Sequence, residues 1–181
     1  MIKFRELTAD DIECRVAQTS EKGVQLLLYK NARVDMNILD ETVGAENWSR
    51  EHYECKGNLF CRVGINVNYA DATKEPRWVY KSDCGTESNT EKEKGEASDS
   101  FKRACVNFGI GRSLYTSPFI WIKAENVELK DKNGKKTTYD KFAVEKVKIV
   151  DGRIVGLSII NTSQKNKRVF VSVESGNETA G

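Results

Sequence analysis

The stretch Thr90–Gly111, TEKEKGEASDSFKRACVNFGIG, decides the fold, because it reads as one amphipathic helix with a marked start and stop. Thr90 with Glu93 fits a capping box, in which the hydroxyl and the carboxylate each satisfy a free amide of the first turn. Gly109 and Gly111 fit the exit, where glycine enters the left-handed region without strain. Between them Ala97, Phe101, Ala104, Cys105 and Phe108 recur at helical spacing and form a single apolar stripe. At about 100° per residue, Arg103 points away from that stripe and Lys102 lies on its flank. Asp99 stands one turn before both and is placed to pair with either. A solvated face is the commonest fate of a Lys-Arg pair. Val106, however, lies nearly opposite the stripe, the mark of a helix covered on both sides, which leaves Lys102 and Arg103 lining a groove.

Such a helix needs a sheet to pack on, and the preceding sequence supplies one. In LFCRVGINVNY, Leu59, Cys61, Val63, Ile65, Val67 and Tyr69 alternate with Phe60, Arg62, Gly64, Asn66 and Asn68, so one face packs and the other is largely polar. WSREHYEC before it and RWVYKSDC after it complete a three-stranded meander. Its first turn is Lys56-Gly57-Asn58 and its second link is DATKEP, with Pro76 where the third strand begins. The expected class is α+β: a β-β-β-α core, with an antiparallel sheet packed by one long helix, plus a β-hairpin-rich C-terminal part. Arg62, on the polar face of the clearest strand, is a candidate for contact with a ligand.

Toward the N-terminus, Thr8 with Asp11 marks a first short helix running to about Gln18, with Leu7 as its hydrophobic staple. Gly23 opens VQLLLYK, a continuous apolar run expected as a buried strand. Arg33 follows it, and VDMNILDETVG reads as a helix with Val34, Ile38, Leu39 and Val43 on one side, ended by Gly44. Toward the C-terminus, Ser117-Pro118 breaks the pattern and FIWI resumes it as a short strand. Asn133-Gly134 and Asp151-Gly152 are hairpin signals, and VFVSV adds a further strand. A single domain over 1–173 is expected, with a core at about 24–115, a β-rich part at about 117–173 and a flexible tail at 174–181.

SDSFKRACVNFGIG resembles the helix signature of the Rad fifty-two/Sak type of single-strand annealing proteins, a phage recombination protein family with eukaryotic members. The motif there is an acidic residue, two positions, Lys-Arg-Ala and an aromatic-Gly exit, here Asp99, Lys102, Arg103, Ala104, Phe108 and Gly109. YKNARVDMNILDETVGAENW resembles the same family's segment of strand, arginine, short helix and Gly-x-x-Trp, and the patches stand about 70 residues apart, as in the family. The resemblance implies a homo-oligomeric ring or filament that binds single-stranded DNA in an outer groove through Arg33, Lys102 and Arg103, with Asp99 supporting the helix cations. It implies ATP-independent annealing of complementary strands in recombination and repair. It also implies a phage exonuclease and a single-strand-binding protein as candidate partners, and the bacterial host cytoplasm as location. Ala45 departs from the family, which has an aromatic residue beside the Gly before its Trp.

Composition narrows the alternatives. The 181 residues carry 29 Lys and Arg against 27 Asp and Glu, a net charge of +2, so attraction to nucleic acid must come from a local cluster. No run approaches the roughly 18 apolar residues of a membrane span, and MIKFRELTADDIEC does not read as a signal peptide. Cys14, Cys55, Cys61, Cys84, Cys105 and the single His52 form no zinc pattern, and no phosphate-binding glycine loop occurs. No cofactor and no metal are expected. A non-annealing single-strand binder is one alternative. An Mg²⁺-dependent nuclease using Asp83, Glu87 and Glu91 is another, although carboxylates at a helix start are also favoured by its dipole. An assembly protein whose helix charges meet a protein partner is a third.

Overall fold

The computed structural model describes residues 2–86 and 92–174, with side chains described outside 92–94. The Thr90–Glu93 capping box, Glu87, Glu91 and the tail after Glu174 lie outside the described residues. The chain is α+β. Strands β1 (Glu13–Ser20) and β2 (Gly23–Tyr29) are followed by helix α1 (Ala32–Val43) and strands β3 (Trp48–Cys55), β4 (Asn58–Asn66) and β5 (Trp78–Cys84). Helix α2 (Lys92–Phe108) precedes β6 (Ile120–Lys123), the short pair β7 (Lys130–Lys132) and β8 (Lys135–Thr137), then β9 (Phe142–Val150), β10 (Arg153–Asn161) and β11 (Lys167–Val173). The chain divides into two compact units, Met1–Glu6 with Asn31–Arg112, and Leu7–Lys30 with Ser113–Gly181.

In the first unit, β3, β4 and β5 form the expected antiparallel meander, and α2 packs on one face of it. Lys56 and Gly57 both take positive φ, 52° and 75°, as a two-residue hairpin turn requires. Period two decides which face is covered: Cys61, Val63 and Ile65 are buried, and so are Phe101, Ala104 and Cys105 of the helix. Phe101 stacks on Trp48 with ring centroids 6.0 Å apart. Strand β4 stops at Asn66, short of the expected Tyr69, because the Asn66 side chain takes over as hydrogen-bond partner. Its Oδ1 accepts from the amides of Asn68 (3.1 Å) and Arg77 (3.0 Å), and its Nδ2 donates to Asn47.

Helix α2 exits as expected. Gly109 has φ 105°, its amide bonds the Val106 carbonyl at 2.9 Å, and the Ile110 amide reaches back to Cys105 at 3.2 Å. This reversal folds Ile110 over the stripe with no exposure, while Phe108, expected in the stripe, is only half-buried.

The other face of the meander is more aromatic than the alternation of β4 alone indicates. Tyr53 stacks with Phe60 at 5.6 Å and Trp78 with Tyr80 at 6.4 Å, the Tyr80 ring lying on Gly64, where a Cβ would meet it at 2.5 Å. These rings come from neighbouring strands, so only pairing reveals them as a group.

The second unit is one antiparallel sheet in the order β11-β10-β9-β1-β2-β6. It curls until its two edge strands, β6 and β11, approach each other with Cα atoms within 8 Å. The expected helix from Thr8 to Gln18 is instead a single 3₁₀ turn, Ala9–Asp11, followed by β1. The capping interaction does form, Asp11 accepting from the Thr8 amide at 2.8 Å, but a longer helix would forfeit the whole β1–β2 ladder from Glu13↔Tyr29 to Ser20↔Gly23. Tertiary pairing outweighs a local helix signal of a fraction of a kcal/mol per residue. Strand β2 is covered on one face only: Val24, Leu26 and Leu28 are buried while Leu27 and Tyr29 are exposed.

The C-terminal hairpins turn at Asn133-Gly134 and Asp151-Gly152, with positive φ at all four residues. β9 joins β1 at Glu13↔Ala143, so these strands extend the sheet of β1 and β2.

Across this sheet Arg168 of β11 donates to both oxygens of Glu145 of β9, each at 2.6 Å. That guanidinium holds the Glu145 carboxyl down at about 2, against an ordinary 4.5. A depressed carboxylate contributes stability that is complete above its unfolded value and fades as pH falls toward 2. Glu145→Gln is therefore expected to flatten the melting temperature between pH 5 and pH 2. An acid limb identical to that of the parent protein would show that the pair contributes nothing.

Candidate nucleic-acid interface

The sequence-selected cations all fall in the first unit. Asn31 caps α1, its Oδ1 accepting from the Arg33 amide at 2.9 Å and from the Val34 amide at 3.3 Å. This cap fixes the backbone of Arg33, which is exposed in the first turn. Arg103 is 42% exposed and lies along the seam between α2 and the edge strand β5, where its Nε meets Asp83 Oδ1 at 3.2 Å.

Asp83 is held by other donors as well, the amide of Cys84 and the Asn107 side chain. It is a fixed counter-ion that orients one edge of the guanidinium. Asp99, in the middle of α2 and one turn before Arg103, accepts from the amide and hydroxyl of Thr86 at 3.1 and 3.2 Å. A partner for the arginine is thus supplied across the seam by β5.

Lys102 is half-buried on the opposite flank. Asn107 and Glu96 both reach the β4–β5 side, bonding Ser82 and Leu59. At about 100° per residue that places Lys102 toward β3. On that flank Arg50 of β3 lies over the Phe101 ring at 4.8 Å. Sequence reading did not single out Arg50; pairing β3 with β4, which sets Arg50 opposite Val63 on the helix-bearing face, is what finds it.

Two more cations close the helix end. Lys81 Nζ donates to the Asn107 carbonyl and sits 4.9 Å from the Phe108 ring centroid. Arg112 Nη2 donates to the carbonyls of Val106 at 2.9 Å and Asn107 at 3.2 Å. Both neutralise the negative end of the helix dipole; Arg112 lies open in the sequence, three residues past Gly109, whereas Lys81 reaches the helix end from β5.

Arg62 is not part of this group. Its neighbours Cys61 and Val63 face α2, so Arg62 projects from the other face, where it pairs with Glu51 and lies 5.4 Å from the Tyr80 ring centroid. The structure brings Lys102 and Arg103 to one helix and leaves Arg62 on the aromatic face.

Burial pushes the Cys61 thiol up to about 11, and in the second unit Cys14 up to about 12, far from the thiolate a nucleophile needs. His52 Nε2 is 3.0 Å from the Ala97 carbonyl oxygen, a contact that ties β3 to α2. Among the described residues no group of His, Cys, Asp and Glu is arranged to hold a metal, and no helix is long and apolar enough to cross a membrane.

Comparison with known proteins matches residues 4–136 to the Rad52/22 family double-strand break repair protein. The matched region contains Arg33, Arg50, Arg62, Lys81, Lys102, Arg103 and Arg112. No curated protein and no solved structure matches.

Proposed function

We propose a function from the premise that this chain belongs to the Rad52/22 family of double-strand break repair proteins. It is a DNA repair and recombination protein, and within that class our reading is a protein that binds single-stranded DNA as a homo-oligomer. It anneals complementary strands without hydrolysing a nucleotide. The observation that carries this is Arg103 and Lys102 on two flanks of one helix, with Arg103 oriented by Asp83 across a rigid seam. Such cations hold phosphates through charge and hydrogen bonding, without base readout, which is what indifference to sequence requires. Arg33 in the first turn of α1 is the third contact of this reading, and Asp99 supports α2 by tying its middle to Thr86.

The experiment is fluorescence-monitored pairing of two complementary oligonucleotides in EDTA without ATP, with a parallel gel for strand length. Faster pairing of intact strands is expected. Binding without faster pairing would reduce the protein to a single-strand protector. Strand loss restored by Mg²⁺ would replace the reading with a nuclease. Sedimentation of the same sample, with and without oligonucleotide, tests self-association.

A further inference from the structure

The second unit carries a lysine cluster that no single stretch of sequence displays. Strands β7 and β8 form a short hairpin, and their register sets Lys132 directly opposite Lys135 beside the Asn133-Gly134 turn. Like charges directly opposed on two strands destabilise a hairpin. Lys136 is compensated by Asp131 at 2.9 Å, and Lys130 by Glu128 at 3.3 Å. Lys132 and Lys135 are exposed, and beyond their backbone pairing their ammonium groups have no hydrogen-bond or ion-pair partner among the described residues. The tip keeps its repulsion.

Two further lysines stand at the same end of the sheet. Lys22 lies in the tight turn between β1 and β2, and its carbonyl accepts from the Ala124 amide at 3.0 Å. Lys123 is the register partner of Gly23, the next residue along. Gly23 permits this approach, since a Cβ there would lie 2.0 Å from the Ile122 carbonyl oxygen. β8 packs on β1, and the charge of Lys136 feels Glu21 of that same turn. Three segments far apart in sequence thus converge, and they carry Glu21, Glu125, Glu128 and Asp131 as acidic residues, of which Asp131 and Glu128 are taken up by Lys136 and Lys130.

The hairpin is also held rather than loosely attached. Asp140 Oδ2 accepts from the Glu128 amide at 2.8 Å, from Asn161 Nδ2 at 2.7 Å and from Gln164 Nε2 at 3.1 Å. Asn161 is fully buried and also donates to the Asn126 carbonyl at 3.3 Å. Both ends of the hairpin are thereby clipped to the sheet. Surface lysines on strands often serve only solubility and edge protection. Neither purpose calls for two lysines face to face at a clamped tip.

We propose that the β7–β8 hairpin, with Lys132 and Lys135 at its tip and Lys22 and Lys123 beside it, is a phosphate-backbone contact surface for nucleic acid, additional to the cations of α2. A polyanion relieves the tip repulsion, and successive phosphates match a row of cations that have no fixed counter-ion among the described residues. This inference rests on the single-strand-binding reading and adds a site to it.

The test uses the full chain and a fluorescein-labelled oligo(dT), with anisotropy read across a KCl series. Lys132→Ala with Lys135→Ala is expected to weaken binding about tenfold and to lower the slope of log affinity against log salt by about 1.4. Lys132→Glu with Lys135→Glu should weaken it further. Lys146→Ala with Lys148→Ala, the same charge change on exposed positions of β9, is the control and should leave binding near the parent value. Equal weakening in the control would reduce the effect to net charge and overturn the proposal. Unchanged binding in both hairpin variants would overturn it as well, whether the lysines serve solubility or an acidic protein partner. If those variants bind normally while the Lys102, Arg103 double variant fails, the hairpin site alone is wrong. If the parent protein does not bind oligo(dT) at low salt, the proposed function falls and this site with it.

Discussion

Replacing Lys102 and Arg103 together by alanine is expected to weaken single-strand binding by at least about tenfold, taking roughly 1 kcal/mol or more for each charge-assisted hydrogen bond removed. The salt dependence should flatten in parallel, by about 0.7 in slope per phosphate released, or about 1.4 for both. The fold should survive. Arg103 is 42% exposed, so its pair with Asp83 contributes only about 0–1 kcal/mol to stability. Asp83 also keeps the Cys84 amide and Asn107 as donors when the guanidinium is gone.

The reciprocal variant sharpens the test. Asp83→Asn removes a negative charge from the seam beside Arg103, so binding should tighten. A nuclease with Asp83 as a metal ligand would instead lose its activity. Anisotropy titrations at several salt concentrations, with circular dichroism as the check on folding, read both variants. An unchanged affinity and slope in the double alanine variant would remove these residues from the interface.

What could be read in advance follows the range of the interactions concerned. The meander was legible because period two, a Lys-Gly turn and a glycine exit are local signals, and local signals set β3, β4, β5 and α2. Helix α2 ends at the residues the glycines mark, though Ile110 fills the place expected of Phe108. The first strand was not legible. Thr8 and Asp11 do form their capping interaction, and nothing nearby shows that Glu13 onward pairs with β2 and, at Glu13, with Ala143, 130 positions later.

The site follows the same logic. Lys102 and Arg103 could be named from helical spacing, whereas the choice of Asp83 as a partner of Arg103 depends on which strand becomes the sheet edge. Arg62 could be placed on the polar face by alternation. That α2 covers the opposite face follows only when both apolar stripes are joined. The lysine cluster of the second unit lay beyond reach, since Lys22 and Lys123 meet through a sheet pairing.

Phe101→Ala should have the largest effect on stability of any single change in the first unit, about 3–5 kcal/mol, the usual cost of emptying a buried phenylalanine site. Phe101 has no exposed surface, stacks on Trp48 and lies under the Arg50 guanidinium. Its removal therefore takes away an aromatic pair and a cation-π pair along with the buried area. For a chain of this length each kcal/mol lowers the melting temperature by about 2–4 °C, so a fall of about 6–20 °C is expected. Chemical denaturation followed by circular dichroism, with tryptophan emission as a second probe, measures it. A destabilisation below about 1 kcal/mol would mean that α2 is held by its seams more than by its stripe.

The consequence for binding separates support from direct engagement of the strand. Phe101 touches no solvent, yet it fixes the rotation of α2 and thereby the directions of Lys102 and Arg103. Phe101→Ala should weaken DNA binding without changing the salt slope, because the cations are still present and only their placement is loosened. Phe101→Leu, which refills most of the cavity, should recover most of the affinity. A flattened slope in Phe101→Ala would instead mean that fewer phosphates are engaged, and that the helix needs this ring to form its phosphate-binding surface at all.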